Sequence, residues 1–137
     1  MPDSEPVAAD LRDHVAFDQD RAVRSRVYET DLVAVDMLCL EPGQQLGART
    51  HEDSDTVYTV IGGKAWIVTD DSEVALGPLQ AVLIPAGTPH GIRNDAPDPL
   101  LLQTVTSLPV PAQSLRGTRS KEPETAPEAN DTRTSPA

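Results

Sequence analysis

Between residues 22 and 108 the chain reads as short runs of alternating or β-branched residues, each closed by turn-formers. The runs are RSRVY, LVAVDMLCL, DTVYTVI, KAWIVT, EVAL, AVLI, HGIRN and LLLQTVTS, and the breaks are EPGQ, GG, TDDS, LGP, PAGTP and NDAPDP. A helical period is hard to find after residue 22. Many short strands at near-regular spacing predict an all-β antiparallel sandwich or small barrel.

The two ends have a different character. Residues 1–21 are acidic and weakly patterned, with Leu11, Val15 and Phe17 available to tether them to the main body. From Pro109 the sequence holds five prolines, no aromatic residue and four charges of each sign. Such a stretch buries too little apolar surface to offset its ordering entropy, so residues 109–137 are expected to be a disordered, dispensable tail. The organisation expected is an N-terminal extension over 1–21, a barrel domain over 22–108 and that tail.

Charge narrows the list of partners. Eleven Lys and Arg face 22 Asp and Glu, for a net charge of -11. That field repels nucleic-acid phosphates and anionic lipid, so neither nucleic acid nor a membrane is an expected partner. A single cysteine, Cys39, lies in an apolar run and fits a buried, inert thiol. No run approaches the roughly 18 apolar residues of a membrane span, and the N-terminus lacks the basic start of a signal peptide; a cytoplasmic protein is expected.

Two stretches carry candidate chemistry. In RTHEDSDTVYTVIGG, an extended chain would put Arg49, His51, Asp53 and Asp55 on one face, continued by Val57, Thr59 and Ile61. If that face points inward, the histidine must be hydrogen-bonded, paired or metal-bound, because an unpaired buried charge costs several kcal/mol. A solvated loop end before a strand is the other reading. In LIPAGTPHGIRN, Pro85, Gly87 and Pro89 hold a rigid turn ahead of His90, and Asn94 shares a face with His90 and Ile92.

Together these stretches resemble the two motifs of the cupin superfamily. Gly43, Arg49, His51, Asp55 and Gly62 have the spacing of the first motif; Pro85, Gly87, His90 and Asn94 have that of the second, from its proline onward. Three positions depart, the mildest being Asp55 where the first motif has a glutamate. Leu79 stands where the second motif begins with glycine, and Arg49 where the first has a histidine. The resemblance implies a double-stranded β-helix, the RmlC-like jelly-roll barrel of a small single-domain cupin. It also implies a divalent metal (Fe, Mn, Ni or Zn) held inside by His51, His90 and Asp55, the last in place of a glutamate.

Arg49 bears directly on that metal. A guanidinium about 5 Å from a divalent ion would feel roughly 7 kcal/mol of repulsion at an effective dielectric near 20. Either Arg49 swings aside and leaves a two-histidine, one-carboxylate set with open positions, or it pairs with Asp53 or Asp55 and fills the site. Two functions stay open. One is a metal-dependent enzyme on a small organic molecule, of dioxygenase, lyase or isomerase type, with Arg49 as an anion clamp. The other is a small-ligand-binding cupin without turnover or metal.

Other residues take plainer expectations. Tyr58, opposite Asp55, should pack outside the barrel or in a dimer contact, Trp66 and Val68 should pack in the core, and His14 should be solvated. Apolar residues on both faces of LVAVDMLCL predict a strand covered twice, and with the sheet edges of so small a sandwich they predict a homodimer.

Overall fold

A computed structural model describes residues 4–108. The expected tail, 109–137, lies outside the described residues. Among the described residues nine strands form two sheets: β1 (Val23–Glu29), β2 (Val33–Leu40), β3 (Gln45–Arg49), β4 (Thr56–Gly62), β5 (Ala65–Val68), β6 (Glu73–Leu76), β7 (Ala81–Ile84), β8 (His90–Arg93) and β9 (Leu100–Ser107). Strands β1-β2-β9-β4-β7 make the larger sheet and β3-β8-β5-β6 the smaller, with every pairing antiparallel. This is the all-β antiparallel sandwich that the strand pattern predicts, and the jelly roll that the family resemblance implies.

Inward residues of both sheets meet in one core. Leu38, Leu40, Val60, Leu100 and Leu102 from the larger sheet pack on Ala65, Ile67, Leu76 and Ile92 from the smaller. Each fully buried Leu or Ile contributes roughly 1.5–3 kcal/mol, so this end of the sandwich is where much of the stability lies. The other end of the interior is polar. Asp36, Thr56, Thr104 and His90 are buried there.

Strand β2 is covered on both faces, but not by a second copy at Met37 and Cys39. The N-terminal segment crosses the outer face: His14 Nδ1 lies 2.7 Å from Ser25 Oγ and the His14 carbonyl 3.9 Å from Cys39 Sγ. Tyr28 donates to the Val7 carbonyl (2.7 Å), and Gln44 Nε2 to that of Asp18 (2.7 Å). The tether is therefore polar, with Val15 and Phe17 left exposed, and His14 is half-buried rather than solvated. Burial pushes the Cys39 thiol pKa up, which keeps it protonated and unreactive.

Strand β3 is absent from the sequence pattern because QLGAR holds no β-branched or aromatic residue, and only Leu46 and Ala48 as apolar ones. It forms by pairing with β8, through Gln45 with Arg93, Leu46 with Ile92 and, past a register shift, Arg49 with His90. Glycine is needed at the β4–β5 turn. Gly63 has a φ of 87°, and a Cβ there would lie 2.3 Å from the Pro99 carbonyl oxygen.

Candidate functional site

The polar end of the barrel is built by cross-strand rows. On β2, β9 and β4 the partners Asp36, Thr104 and Tyr58 lie side by side on the inner face, and Thr56 stands two residues before Tyr58. From the smaller sheet, His90 meets this row: Tyr58 Oη is 2.6 Å from His90 Nε2. His90 Nδ1 lies 3.0 Å from the Thr88 carbonyl. A carbonyl only accepts, so Nδ1 carries the proton and Nε2 accepts from the Tyr58 hydroxyl.

Tyr58 thus belongs to the interior, 2% exposed, and not to the outer face as expected. The reason is local. A period of two running unbroken from Arg49 to Ile61 requires one continuous strand, but residues 52 and 53 form a turn between β3 and β4. The turn resets the parity, so Thr56, Tyr58 and Val60 face inward while Val57, Thr59 and Ile61 face out. Trp66 and Val68 also lie on the outer side of β5, where Lys64 Nζ sits 5.1 Å from the Trp66 ring centroid; Ala65 and Ile67 fill the core instead.

The expected ligand set is only partly brought together. His51 and His90 approach with ring centroids 6.1 Å apart. Asp55 stands apart from them: it is exposed, and its Oδ1 accepts a hydrogen bond from the Ala86 backbone N–H at 2.9 Å. Among the described residues no group of three or more His, Cys, Asp and Glu has the arrangement to hold a metal ion. The Nε2 of His90 is already engaged by Tyr58, so the donors do not fit a resident metal as they stand.

Arg49 fills the site differently from either expectation. It makes no ion pair with Asp53 or Asp55 among the described residues, and its Nε is buried without a hydrogen-bond partner. The hydroxyls of Thr56 and Thr104 share that condition. Each buried donor left unpaired costs about 1–3 kcal/mol.

Two further residues of this cluster, Asp36 and Arg24, escaped the sequence reading. Asp36, 3% exposed, accepts from Arg24 Nη1 at 2.9 Å and from Arg26 Nε, and Arg26 also reaches Glu29. An acid at the centre of the apolar run VAVDMLCL, opposite the arginines of RSR, was the available signal. The field of this cluster is positive. Burial lowers the His51 pKa first, and His90, Arg49 and Arg24 lower it further. Burial raises that of Tyr58, against the opposing pull of Arg49 and Arg24.

A groove of about 320 Å³ lies on the outer side of the smaller sheet, lined by Gln45, Gly47, Val68, Asp70, Gly91 and Arg93 among others. Its Arg93 is already paired with Glu73 and Asp95. The groove shares His90 with the polar cluster, but the unpaired donors lie inside the barrel, and the candidate chemistry lies there.

Comparison with known proteins agrees with this architecture. No curated protein matches the chain. Among solved structures, the TT1209 protein of Thermus thermophilus is 31% identical, with a TM-score of 0.71 over 75% of this chain and 98% of its own. A Klebsiella pneumoniae protein with a double-stranded β-helix domain is 24% identical, with a TM-score of 0.70 over 75% of this chain and 90% of that one. KdgF from Halomonas sp. is 23% identical, with a TM-score of 0.62 over 76% and 94%. The latter two likenesses bear on fold alone. Among the described residues no helix is long and apolar enough to cross a membrane. The sequence model of the cupin domain matches residues 36–106, which takes in both motif segments and most of the strands, and the chain belongs to the cupin family.

Proposed function

We propose that this protein is a metal-independent cupin that binds a small organic molecule at the polar end of its barrel. The observation that carries the reading is the Tyr58–His90 hydrogen bond, which occupies the nitrogen a metal would need. The placement of Asp55 outside the cluster supports it, because two histidines alone leave a divalent ion with too few donors. The buried, unpaired Nε of Arg49 and hydroxyls of Thr56 and Thr104 are the groups that a polar ligand would satisfy.

The test compares metals with small ligands on one sample. Chelator treatment should leave the melting temperature unchanged, and Fe(II), Mn(II), Ni(II) or Zn(II) should not raise it, since only what binds the native state stabilises it. A metal-dependent rise abolished by His90→Ala would overturn the reading and restore the metal-dependent one. Elemental analysis of protein purified without chelator adds a second check: one bound metal per chain contradicts the proposal.

A further inference from the structure

We propose that Arg24 and Arg49 form a two-arginine clamp for the carboxylate of a small organic acid at the mouth of the barrel, with Asp36 as the positioning residue for Arg24. This rests on the metal-independent reading above and specifies its ligand.

Topology joins the two arginines to the same polar cluster from different sheets. Arg49 is the cross-strand partner of His90 on the smaller sheet, and His90 reaches across the interior to Tyr58. Arg24 lies on β1 of the larger sheet and bonds Asp36, which sits in the same cross-strand row as Thr104 and Tyr58. Both arginines act electrostatically on His51 and on Tyr58. The Tyr58–His90 pair is therefore flanked by positive charge from two directions.

Charge in the cluster does not balance internally. Asp36 serves both Arg24 and Arg26, and Glu29 adds a second contact to Arg26 at the surface. Three guanidinium groups thus face two carboxylates, and Arg49 has neither. One negative charge is missing, in a chain whose overall charge is -11. A buried guanidinium without a counter-charge is costly to keep unless an anion pairs with it.

The donors have the form that a carboxylate needs. Arg24 spends Nη1 on Asp36 and its side chain is 39% exposed, so the rest of its fork remains free to face solvent and ligand. Asp36 is almost wholly buried and fixes the direction of that fork. A planar guanidinium matches a planar carboxylate through two parallel N–H···O bonds, and a single-charge deficit matches a monocarboxylate.

Calorimetric titration at low ionic strength tests the clamp on the full chain in the presence of a chelator. The probes are acetate, propionate, lactate and benzoate, each beside its neutral amide, with inorganic phosphate as a separate arm. The acids should bind at least tenfold more tightly than their amides. Arg49→Gln and Arg24→Gln should each remove most of that preference, and Arg24→Lys should restore only part of it. Asp36→Asn should weaken the acids in the native background but add little to Arg24→Gln, a non-additivity that loss of stability alone does not produce. Leu76→Ala, in the apolar core away from the polar cluster, should retain the preference and controls for general damage to the barrel. Equal affinity for acid and amide, an unchanged Arg24→Gln, or tightest binding by phosphate would overturn the clamp while leaving metal-free ligand binding standing. Binding of neither acid nor amide overturns the clamp, and acid binding that appears only after a divalent ion is added overturns the underlying reading as well.

Discussion

The hydroxyl of Tyr58 and Nε2 of His90 lie 2.6 Å apart across the barrel interior and join its two sheets. Because His90 Nδ1 donates to the Thr88 carbonyl, Nε2 depends on Tyr58 for its partner. Tyr58→Phe keeps the ring in place and leaves that nitrogen buried and unpaired. A loss of about 1–3 kcal/mol is expected in urea denaturation. An unchanged midpoint and slope would mean that the bond adds nothing to the fold.

His51 gives the fold a pH dependence of definite sign. Its folded pKa lies below the ordinary 6.5, through burial first and then through His90, Arg49 and Arg24. Between the two pKa values the unfolded chain binds a proton that the native state refuses, so stability falls as pH drops below about 6.5. At the alkaline end Tyr58, raised above 10.0 by burial, holds its proton longer when folded, so stability falls as pH climbs past that value. Subtracting the stability profile of His51→Gln from that of the native chain isolates the acid limb. Identical profiles for the two proteins between pH 5 and 7 would refute the assignment.

Much of this fold was legible because strands with an apolar face announce themselves. Eight of the nine observed strands correspond to runs visible in the sequence, and the second motif placed His90 and Asn94 correctly; Asn94 is buried, donating to the Leu40 and Asp98 carbonyls. What failed was parity. A turn at residues 52 and 53 moved Tyr58 in and Asp55 out, and no pattern of side chains could show that shift without knowing where β3 ended. Strand β3 itself, Gln45–Arg49, is held by its partner and by no signal of its own. Asp36 was legible but is hidden in an apolar run, although a buried acid needs counter-charges and RSR supplies them.

The outer face of the larger sheet bears on self-association. Val35, Val105, Val57 and Leu83 are successive cross-strand partners over four strands, and Leu83, on the edge strand β7, is 58% exposed. The N-terminal segment bonds to β1 and β2 on the other side of this face. An apolar row running out to an open sheet edge is a surface for a second copy, and a homodimer is expected. Light scattering should give twice the chain mass, and Leu83→Lys should shift it toward the monomer. A monomer mass at every concentration would refute this.

Leu79 offers the sharpest link between a family position and a backbone angle. The second cupin motif begins with glycine at this point, and here leucine adopts a φ of 67°, in the left-handed region, with its side chain 85% exposed. The turn demands that conformation, since Leu79 N–H donates to the Val60 carbonyl at 2.8 Å and Gln80 N–H to that of Gly77 at 3.1 Å. A side chain in that region costs about 1–2 kcal/mol, and this one recovers little by packing because it faces solvent. Glycine removes the strain but frees the unfolded chain, which offsets about 0.4–1 kcal/mol. Leu79→Gly should therefore stabilise the protein by roughly 0.5–1 kcal/mol, and Leu79→Asn by less, since asparagine tolerates the same region only in part. Denaturation midpoints in the order glycine, asparagine, leucine would support the argument. Destabilisation by glycine would show that the exposed leucine makes a contact worth more than its strain.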